Sequence, residues 1–236
     1  MSLITGIEAY YKMEGNSDDA TSNGNNGTDT AITYGTAYGK INEGASFNGT
    51  TSEIDIASSS SLNPTNITVS CWMKTGTSQN NKCLVGKWQQ SDTTYSYLIQ
   101  FSPTGTNNVA GIVVIGGTAY TAYTPSGNSY DDNSWHFIVM TFDGTSLIVY
   151  ADNIAGTTVS ASGNIQSSTT SATIGSYGKA TTQTFFTGDI DEVGIWNRAL
   201  SSTEVSELYN GGSGLTYPFG ISTYTPSPLP ILAQMI

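Results

Sequence analysis

The sequence predicts an all-β fold: a two-sheet antiparallel jelly-roll sandwich with one short C-terminal helix and an extended C-terminal tail. Three observations support this. Gly, Ser, Thr and Asn are abundant while charged residues make up only 11% of the chain, which suits many strands joined by tight turns. About a dozen segments have strand character, at spacings of roughly 8–12 residues. A single stretch has the signature of a helix.

The predicted strands are apolar or alternate apolar and polar residues, as strands with one buried face do. They cover residues 7–13, 45–49, 52–57, 66–74, 82–88, 95–101, 109–115, 135–142, 147–150, 157–160, 172–174, 184–187 and 190–196. Between two of them, Asp143-Gly144 is a hairpin signal. In the last strand, alternation would place Asp191, Val193 and Ile195 on one face, and Ile190, Glu192 and Trp196 on the other.

The helix is predicted over residues 201–209. Ser201 followed three residues later by Glu204 has the spacing of a capping box, which satisfies amide groups at the helix start. Gly211 permits a left-handed stop. A helix this short is unstable alone in water, so it must dock on the sandwich.

Charge and composition exclude several classes of function. The net charge is −11 and Arg198 is the sole arginine, so a nucleic-acid-binding surface is excluded. No apolar run approaches the ~20 residues of a membrane span, and no secretion signal is visible at the N-terminus. Cys71 and Cys83 are expected to be small buried hydrophobes, with a disulfide between them as the alternative.

We expect one domain over residues 1–215 and a Pro-rich tail over 216–236. Three prolines between Pro226 and Pro230 oppose helix and strand formation. Because the tail ends in apolar residues, it is expected to pack on its own domain, a sister subunit or a larger assembly.

The polar segment 14–30 is rich in Asp, Asn and Gly. Such side chains and carbonyl groups are the hard oxygen donors that Ca²⁺ prefers. The segment lacks the terminal Glu and flanking helices of an EF-hand. An Asx-rich turn without metal is the alternative.

The chain resembles laminin-G-like, concanavalin A-like jelly-roll modules of the lectin/glucanase superfamily. The resemblance runs from about residue 7 to residue 212. Its motifs, in order, are AYYKM, DATSNGNNGT, SFNG, NITVSCWMK, SWHFIVMTFDGTSLIVYAD and GDIDEVGIWNRALSSTEVSELY. The resemblance implies two packed antiparallel sheets and a structural Ca²⁺ held by Asp19, Asn25 and Asp191. For Asp191, the alternative is a carboxylate that accepts backbone amides.

Related sandwiches include glycoside hydrolases with two carboxylates on one strand. The nearest match here is Glu53 and Asp55, but Ser58 stands where the second glutamate would be. His136 is expected to be a packed or edge histidine. We therefore predict that the protein is not an enzyme.

Sugar recognition would instead use an exposed aromatic ring with nearby polar groups. The candidate ligand-binding residues lie near predicted loops: Trp88, Tyr123, Tyr130 and Asp131, with Asp132 nearby. The alternative is that these aromatic residues belong to the core or to an interface.

The predicted function is a surface-binding or adhesion module. The favoured setting is a phage virion, as a capsid decoration, head-fibre or tail-associated protein that contacts other virion proteins through its tail. Glycans and a second copy of the chain are further expected partners. The alternative is a carbohydrate-binding module of a secreted bacterial protein at the cell surface, and a glycoside hydrolase is the third option.

Overall fold

The computed structural model describes residues 2–89, 95–103, 108–177 and 185–220. These residues form strands and one α-helix, α1 (Ser202–Tyr209). The strands are β1 (Ile7–Tyr11), β2 (Gly27–Thr30), β3 (Thr33–Gly35), β4 (Gly44–Asn48), β5 (Glu53–Ile56), β6 (Ile67–Lys74), β7 (Cys83–Lys87), β8 (Tyr97–Phe101), β9 (Val109–Ile115), β10 (Thr118–Tyr123), β11 (Trp135–Phe142), β12 (Ser146–Ala151), β13 (Ile154–Ala155), β14 (Val159–Ser160), β15 (Ala172–Ile174) and β16 (Thr187–Trp196).

Two antiparallel sheets form the predicted sandwich. The nine-stranded sheet has the order β13-β12-β11-β6-β16-β4-β3, with β1 beside β16 and β14 beside β12. The seven-stranded sheet has the order β10-β9-β8-β7-β15-β5-β2. Their inner faces bury one large apolar core, to which Ile54, Val69, Val113 and Ile195 belong. Cys71 lies in this core, Cys83 lies outside it, and both are free and buried.

The structure adds strands that the periodicity missed. β2 and β3 fall in and just after the polar segment assigned to a loop, and β10 is the Tyr-rich stretch before residue 124. β2 and β3 are short edge strands with mostly exposed side chains. They carry no apolar alternation because they bury little surface.

The central strand β16 changes partners along its length. Residues 187–190 pair with β4, whereas the second half pairs with β1. The register against β6 shifts between Asp191 and Gly194. This is a β-bulge, and Glu192 within it adopts a left-handed φ of 50°.

The bulge overturns the predicted alternation in β16. Ile190, Val193 and Ile195 all belong to the core between the sheets, although the sequence pattern separated Ile190 from the other two. An extra residue at the bulge reverses which face the following side chains take.

Helix α1 begins as predicted. Ser201 is its N-cap and forms the complete capping box with Glu204. The helix ends at Tyr209, as predicted, and Gly211 has the expected left-handed φ, of 60°. Asn210, the C-cap, is left-handed as well. Asn adopts this conformation at lower cost than most residues. Across the described ranges, no helix combines the length and hydropathy that crossing a membrane requires.

A second apolar cluster covers the outer face of the nine-stranded sheet. There Trp72 stacks on Tyr209 of α1, with ring centroids 5.8 Å apart. Phe219 packs its ring on Trp196 and edge-on against Tyr10. The packed chain thus continues beyond residue 215. The separate tail stays a prediction for residues 221–236, which lie outside the described ranges.

Candidate functional site

A pocket of about 250 Å³ lies on the outer face of the seven-stranded sheet. Asp55 and Thr173 pair across β5 and β15, and their neighbours along both strands face the core. Alternation therefore directs the Asp55 and Thr173 side chains outward. The pocket is lined by Asp55, Trp88, Gln89, Thr169, Thr170, Ser171 and Thr173.

Trp88 supplies the aromatic wall of this pocket. It follows directly after β7 and stacks on Tyr95, with ring centroids 4.4 Å apart and an interplanar angle of 28°. Trp88 also packs against an apolar cluster on the outer face that contains Leu98 and Ile112. The ring is thus fixed by its neighbours while it borders the pocket.

The polar wall is fixed by hydrogen bonds through Thr170. Its hydroxyl donates to Gln89 Oε1 at 2.9 Å, and its amide donates to Ser168 Oγ at 3.1 Å. Its carbonyl accepts from Lys87 Nζ at 2.6 Å. These bonds already hold the polar side of the pocket in place in the ligand-free protein. A ligand that bound there would therefore lose little free energy to the ordering of these side chains.

Lys87 is a fully buried lysine beneath this wall. Its Nζ also donates to Ser58 Oγ at 2.7 Å. Burial lowers the pKa of Lys87 to about 8. The lysine therefore links the loop that contains Thr170 to Ser58 by hydrogen bonds.

The two carboxylates considered for catalysis share the outer face of β5, as predicted. Asp55 lines the pocket, whereas Glu53 is buried and accepts a short hydrogen bond from Ser176. Ser58 is hydrogen-bonded to Lys87. The structure thus gives Asp55 and Glu53 different surroundings.

Tyr123, the last residue of β10, borders a different pocket, of about 380 Å³. Its side chain is 40% exposed, and Asn108, Thr124 and Thr157 share the lining. β10 is the edge strand of the seven-stranded sheet, four strands from β15. The structure therefore does not bring Tyr123 together with Trp88.

Tyr130 and Asp131 lie beside the nine-stranded sheet. Tyr130 is only 2% exposed and packs edge-on against His136, at a centroid distance of 5.2 Å. Asp131 accepts a hydrogen bond from Ser129 at 2.5 Å. Tyr130 therefore offers no open ring face for stacking.

His136 is held between two carboxylates in this region. Its Nδ1 lies 2.7 Å from Asp152 Oδ2, and its Nε2 lies 3.1 Å from Asp132 Oδ1. Burial opposes the charge, but the hydrogen bonds with both carboxylates outweigh burial and raise the pKa of His136. The histidine thus links the loop that contains Asp132 to the turn after β12 that contains Asp152.

Asp19 and Asn25, two of the predicted calcium ligands, do come together. Asp19 Oδ1 accepts from the amides of Tyr10 and Thr21, and Oδ2 accepts from the Asn25 amide at 2.9 Å. The Asn25 side-chain oxygen accepts from Ser59 at 2.7 Å. Hydrogen-bond donors therefore occupy positions that a cation would need.

Asp191, the third predicted ligand, lies in a separate cluster, because β1 stands between the Asp19 segment and β16. Its Oδ2 accepts from the amides of Lys40 and Ile41 at 2.8 and 2.9 Å. This arrangement matches the alternative given for Asp191 in the sequence analysis, a carboxylate that accepts hydrogen bonds from backbone amides. The described residues contain no cluster of three or more His, Cys, Asp or Glu side chains suited to a metal. The three residues as arranged do not fit one shared calcium ion, and calcium binding stays a prediction.

The buried pair Asp191 and Glu192 carries perturbed acidities. Burial raises the pKa of Asp191 to about 8 and that of Glu192 to about 7. The hydroxyls of Tyr10 and Thr216 lie beside Glu192 and partly offset this effect. Both carboxylates lie on the bulge, and the Thr216 hydroxyl beside Glu192 belongs to the segment that leads to Phe219.

Comparison with known proteins shows the family to which this sandwich belongs. Residues 47–206 match the family described as the concanavalin A-like lectin/glucanases superfamily. The chain belongs to this superfamily. The match includes the Trp88 pocket and Asp191, while Asp19 and Asn25 lie before it. A comparison with curated proteins gives no match.

Solved structures share the superfamily fold at low identity. One is domain 4 of AbnA, a GH43 extracellular arabinanase from Geobacillus stearothermophilus, in complex with arabinotriose (20% identity, 85% of this chain and 97% of that chain, TM-score 0.69). Another is the binding domain of Paraclostridial Mosquitocidal Protein 1 (15% identity, 88% and 52%, TM-score 0.68). A third is the binding domain of botulinum neurotoxin DC in complex with SialylT (11% identity, 87% and 51%, TM-score 0.64). This chain spans about half the length of the two toxin domains.

Sequence reasoning found Trp88 in this superfamily domain but missed its neighbours. Residues 169–171 form a polar run whose position beside β7 depends on the sheet order. Asp55 was considered for catalysis only. The available signal was the outward-facing position of Asp55 on β5, but its pairing with Thr173 is a long-range contact.

Proposed function

We propose that this domain is a non-catalytic glycan-binding module whose binding site is the Trp88 pocket. One observation carries the proposal: a fixed aromatic ring, a carboxylate and several hydroxyl groups line the same pocket. A sugar ring has an apolar face that stacks on an aromatic ring and a polar rim that exchanges hydrogen bonds. Trp88 serves the first requirement, and Asp55 and Thr173 serve the second.

The related arabinanase domain is supporting evidence of a coarser kind. Its structure contains arabinotriose, so a sandwich of this fold can accommodate a short neutral oligosaccharide. At 20% sequence identity, the likeness to the arabinanase domain supports a shared fold but not a shared binding site. The choice of pocket therefore rests on the residues of this chain.

Replacing Trp88 by alanine tests the site. We expect Trp88→Ala to weaken glycan binding by about 10-fold or more, the usual effect of removing a central aromatic contact. Arabinotriose titration and a glycan array are suitable measurements. Tyr123→Ala is the matched control, because it removes an exposed aromatic residue from another pocket. A loss in Tyr123→Ala with wild-type binding in Trp88→Ala would place the site at β10 instead.

The absence of catalysis is part of the same proposal. Glu53 is hydrogen-bonded to Ser176 and does not line the pocket that holds Asp55. A reducing-sugar assay on polysaccharides checks this point. Activity in the wild type that disappears in Glu53→Gln would make the protein a hydrolase.

We further propose that the module acts on the surface of a phage particle. The support is the apolar sequence at the end of the 221–236 tail, which suits docking on an assembly. Two results would support this setting: the protein is found in purified phage particles, and deletion of residues 225–236 releases the protein from them. If the module is instead found as part of a secreted bacterial protein, the carbohydrate-binding alternative is favoured.

A further inference from the structure

We infer that Lys87 is a positioning residue of the glycan site, because it holds the polar wall of the Trp88 pocket from the side opposite the ligand. Glycan affinity then depends on the hydrogen bonds that its ammonium group donates. The inference rests on the proposed glycan-binding function and adds a residue that controls it. It follows from the direction of the lysine side chain and from the two segments that this side chain joins.

The Lys87 side chain is directed away from the pocket. Lys87 pairs with Tyr97 across β7 and β8, and Tyr97 belongs to the core between the sheets. Residues that pair directly point to the same side of a sheet, so Lys87 points inward, whereas the pocket lies on the outer face. The 0% exposure of Lys87 agrees with this direction. A ligand in the pocket therefore meets the neighbours of Lys87 and not its ammonium group.

The ammonium group joins two segments that are distant in the sequence. Lys87 Nζ donates to the Thr170 carbonyl at 2.6 Å and to Ser58 Oγ at 2.7 Å. Ser58 Oγ also donates to the Ser168 carbonyl, at 3.4 Å, and the Ser168 amide donates to Asn63 Oδ1 at 2.9 Å. These bonds fasten the segment before β15 to the segment after β5.

The position of Thr170 shapes part of the pocket. Thr170 lines the pocket, and its hydroxyl donates to Gln89 Oε1 at 2.9 Å, which orients a second lining residue. Gln89 follows Trp88 directly, so this bond lies beside the aromatic wall. Without the lysine donors, a ligand would have to order Thr170 and Gln89 itself, and such ordering costs free energy. Lys87 therefore raises the affinity by preorganising the wall.

The charge of Lys87 strengthens both of its bonds, because a charged donor makes a hydrogen bond roughly twice as strong as a neutral one. Burial lowers the pKa of Lys87 to about 8. The described groups around the ammonium are the Ser58 hydroxyl, the Thr170 carbonyl and Tyr97, which stays neutral because burial raises its pKa. Asp55, on β5, is directed to the outer face. Glycan affinity should therefore fall as the pH rises through about 8.

Replacing Lys87 by methionine removes the donors and keeps a long unbranched side chain. We expect Lys87→Met to weaken binding by about 5-fold, the effect of having to order one more side chain on binding. Isothermal titration calorimetry with arabinotriose, or with the neutral oligosaccharide that an array shows to bind best, is the measurement. Lys74→Met is the matched control and should bind like the wild type, because Lys74 lies on β6 of the other sheet, beside Asp189.

A pH profile separates positioning from general support of the fold. Between about pH 6.5 and about pH 9, the wild type should lose about 3-fold in affinity as the charge-assisted bonds become neutral ones. Lys87→Met should show no such fall. Thermal melting checks that each protein is folded, and the wild-type profile decides the question if Lys87→Met does not fold.

The outcomes separate the two proposals. Wild-type affinity in a folded Lys87→Met variant, or a wild-type affinity that does not change with pH, overturns the positioning role. Trp88→Ala would still lose binding in that case, and the proposed function would stand. Binding of no glycan by the wild type overturns the proposed function, and this inference with it.

Discussion

At the scale of single residues, two buried carboxylates link the stability of the protein to pH. Asp191 and Glu192 are 0% and 1% exposed. Three backbone amides bond to Asp191. Burial nevertheless raises both pKa values, since an apolar surrounding disfavours the charged form.

The sign of the pH effect follows from the raised pKa values. Below pH 4, both carboxyl groups are protonated in the folded and the unfolded chain. As the pH rises, the unfolded chain loses these protons first, while the folded chain holds them to about pH 7 for Glu192 and about pH 8 for Asp191. Their contribution to stability is therefore lost progressively between about pH 4 and pH 8.

Glu192→Gln should reduce this loss, because glutamine keeps the shape of the side chain and remains neutral. We expect a Tm close to that of the wild type at pH 4 and higher by about 4 °C at pH 8, the shift that ~1–2 kcal/mol produces in a domain of this size. Differential scanning calorimetry across this range is the measurement. Glu207→Gln, on the exposed side of α1, should keep the wild-type profile. A lower Tm for Glu192→Gln at pH 8 would contradict the prediction.

At the scale of elements, α1 depends on the network at its N-terminus. Arg198 forms an ion pair with Glu204 at 2.8 Å, and Glu204 also accepts from the Ser201 amide. Burial alone would raise the pKa of Glu204, but these hydrogen bonds outweigh burial and lower the pKa to about 2. The capping box thus connects the helix to the end of β16.

Removal of the cap should loosen the helix. Ser201→Ala is expected to lower the free energy of unfolding by about 1 kcal/mol, the usual cost of losing an N-cap side chain. Urea denaturation measures this change, and hydrogen exchange should show faster exchange in the amides of residues 203–205. Ser202→Ala, an exposed change one residue into the helix, is the control. Equal stability of the two variants would show that the cap contributes little.

At the scale of the whole molecule, the predicted calcium ion would link the stability of the protein to the concentration of Ca²⁺. An ion bound only by the folded protein would stabilise it by RT ln(1 + [L]/Kd), about 2.7 kcal/mol at 100 times Kd. The prediction is that EDTA lowers the Tm, that added Ca²⁺ restores it, and that Asp19→Asn removes the response. A Tm that does not change with EDTA or Ca²⁺ would show that the hydrogen bonds of Asp19 and Asn25 close the loop without metal.

The sequence predicted much of the architecture because its signals are local. Strand periodicity gave β6, β9, β11 and β15 nearly to the residue, and the Ser201–Glu204 spacing gave the start of α1. A superfamily resemblance added the two-sheet arrangement. The sequence also gave Trp88 as a candidate, since an aromatic residue at the end of a predicted strand is visible without a structure.

Only the tertiary structure decided which of these residues meet. Strand order places Asp55 and Thr173 beside Trp88, and the same order keeps Tyr123 and Tyr130 away from it. The bulge in β16 depends on pairing with three neighbouring strands, so alternation alone could not predict that Asp191 and Glu192 become buried. Local patterns specify elements, whereas a binding site depends on long-range contacts between them.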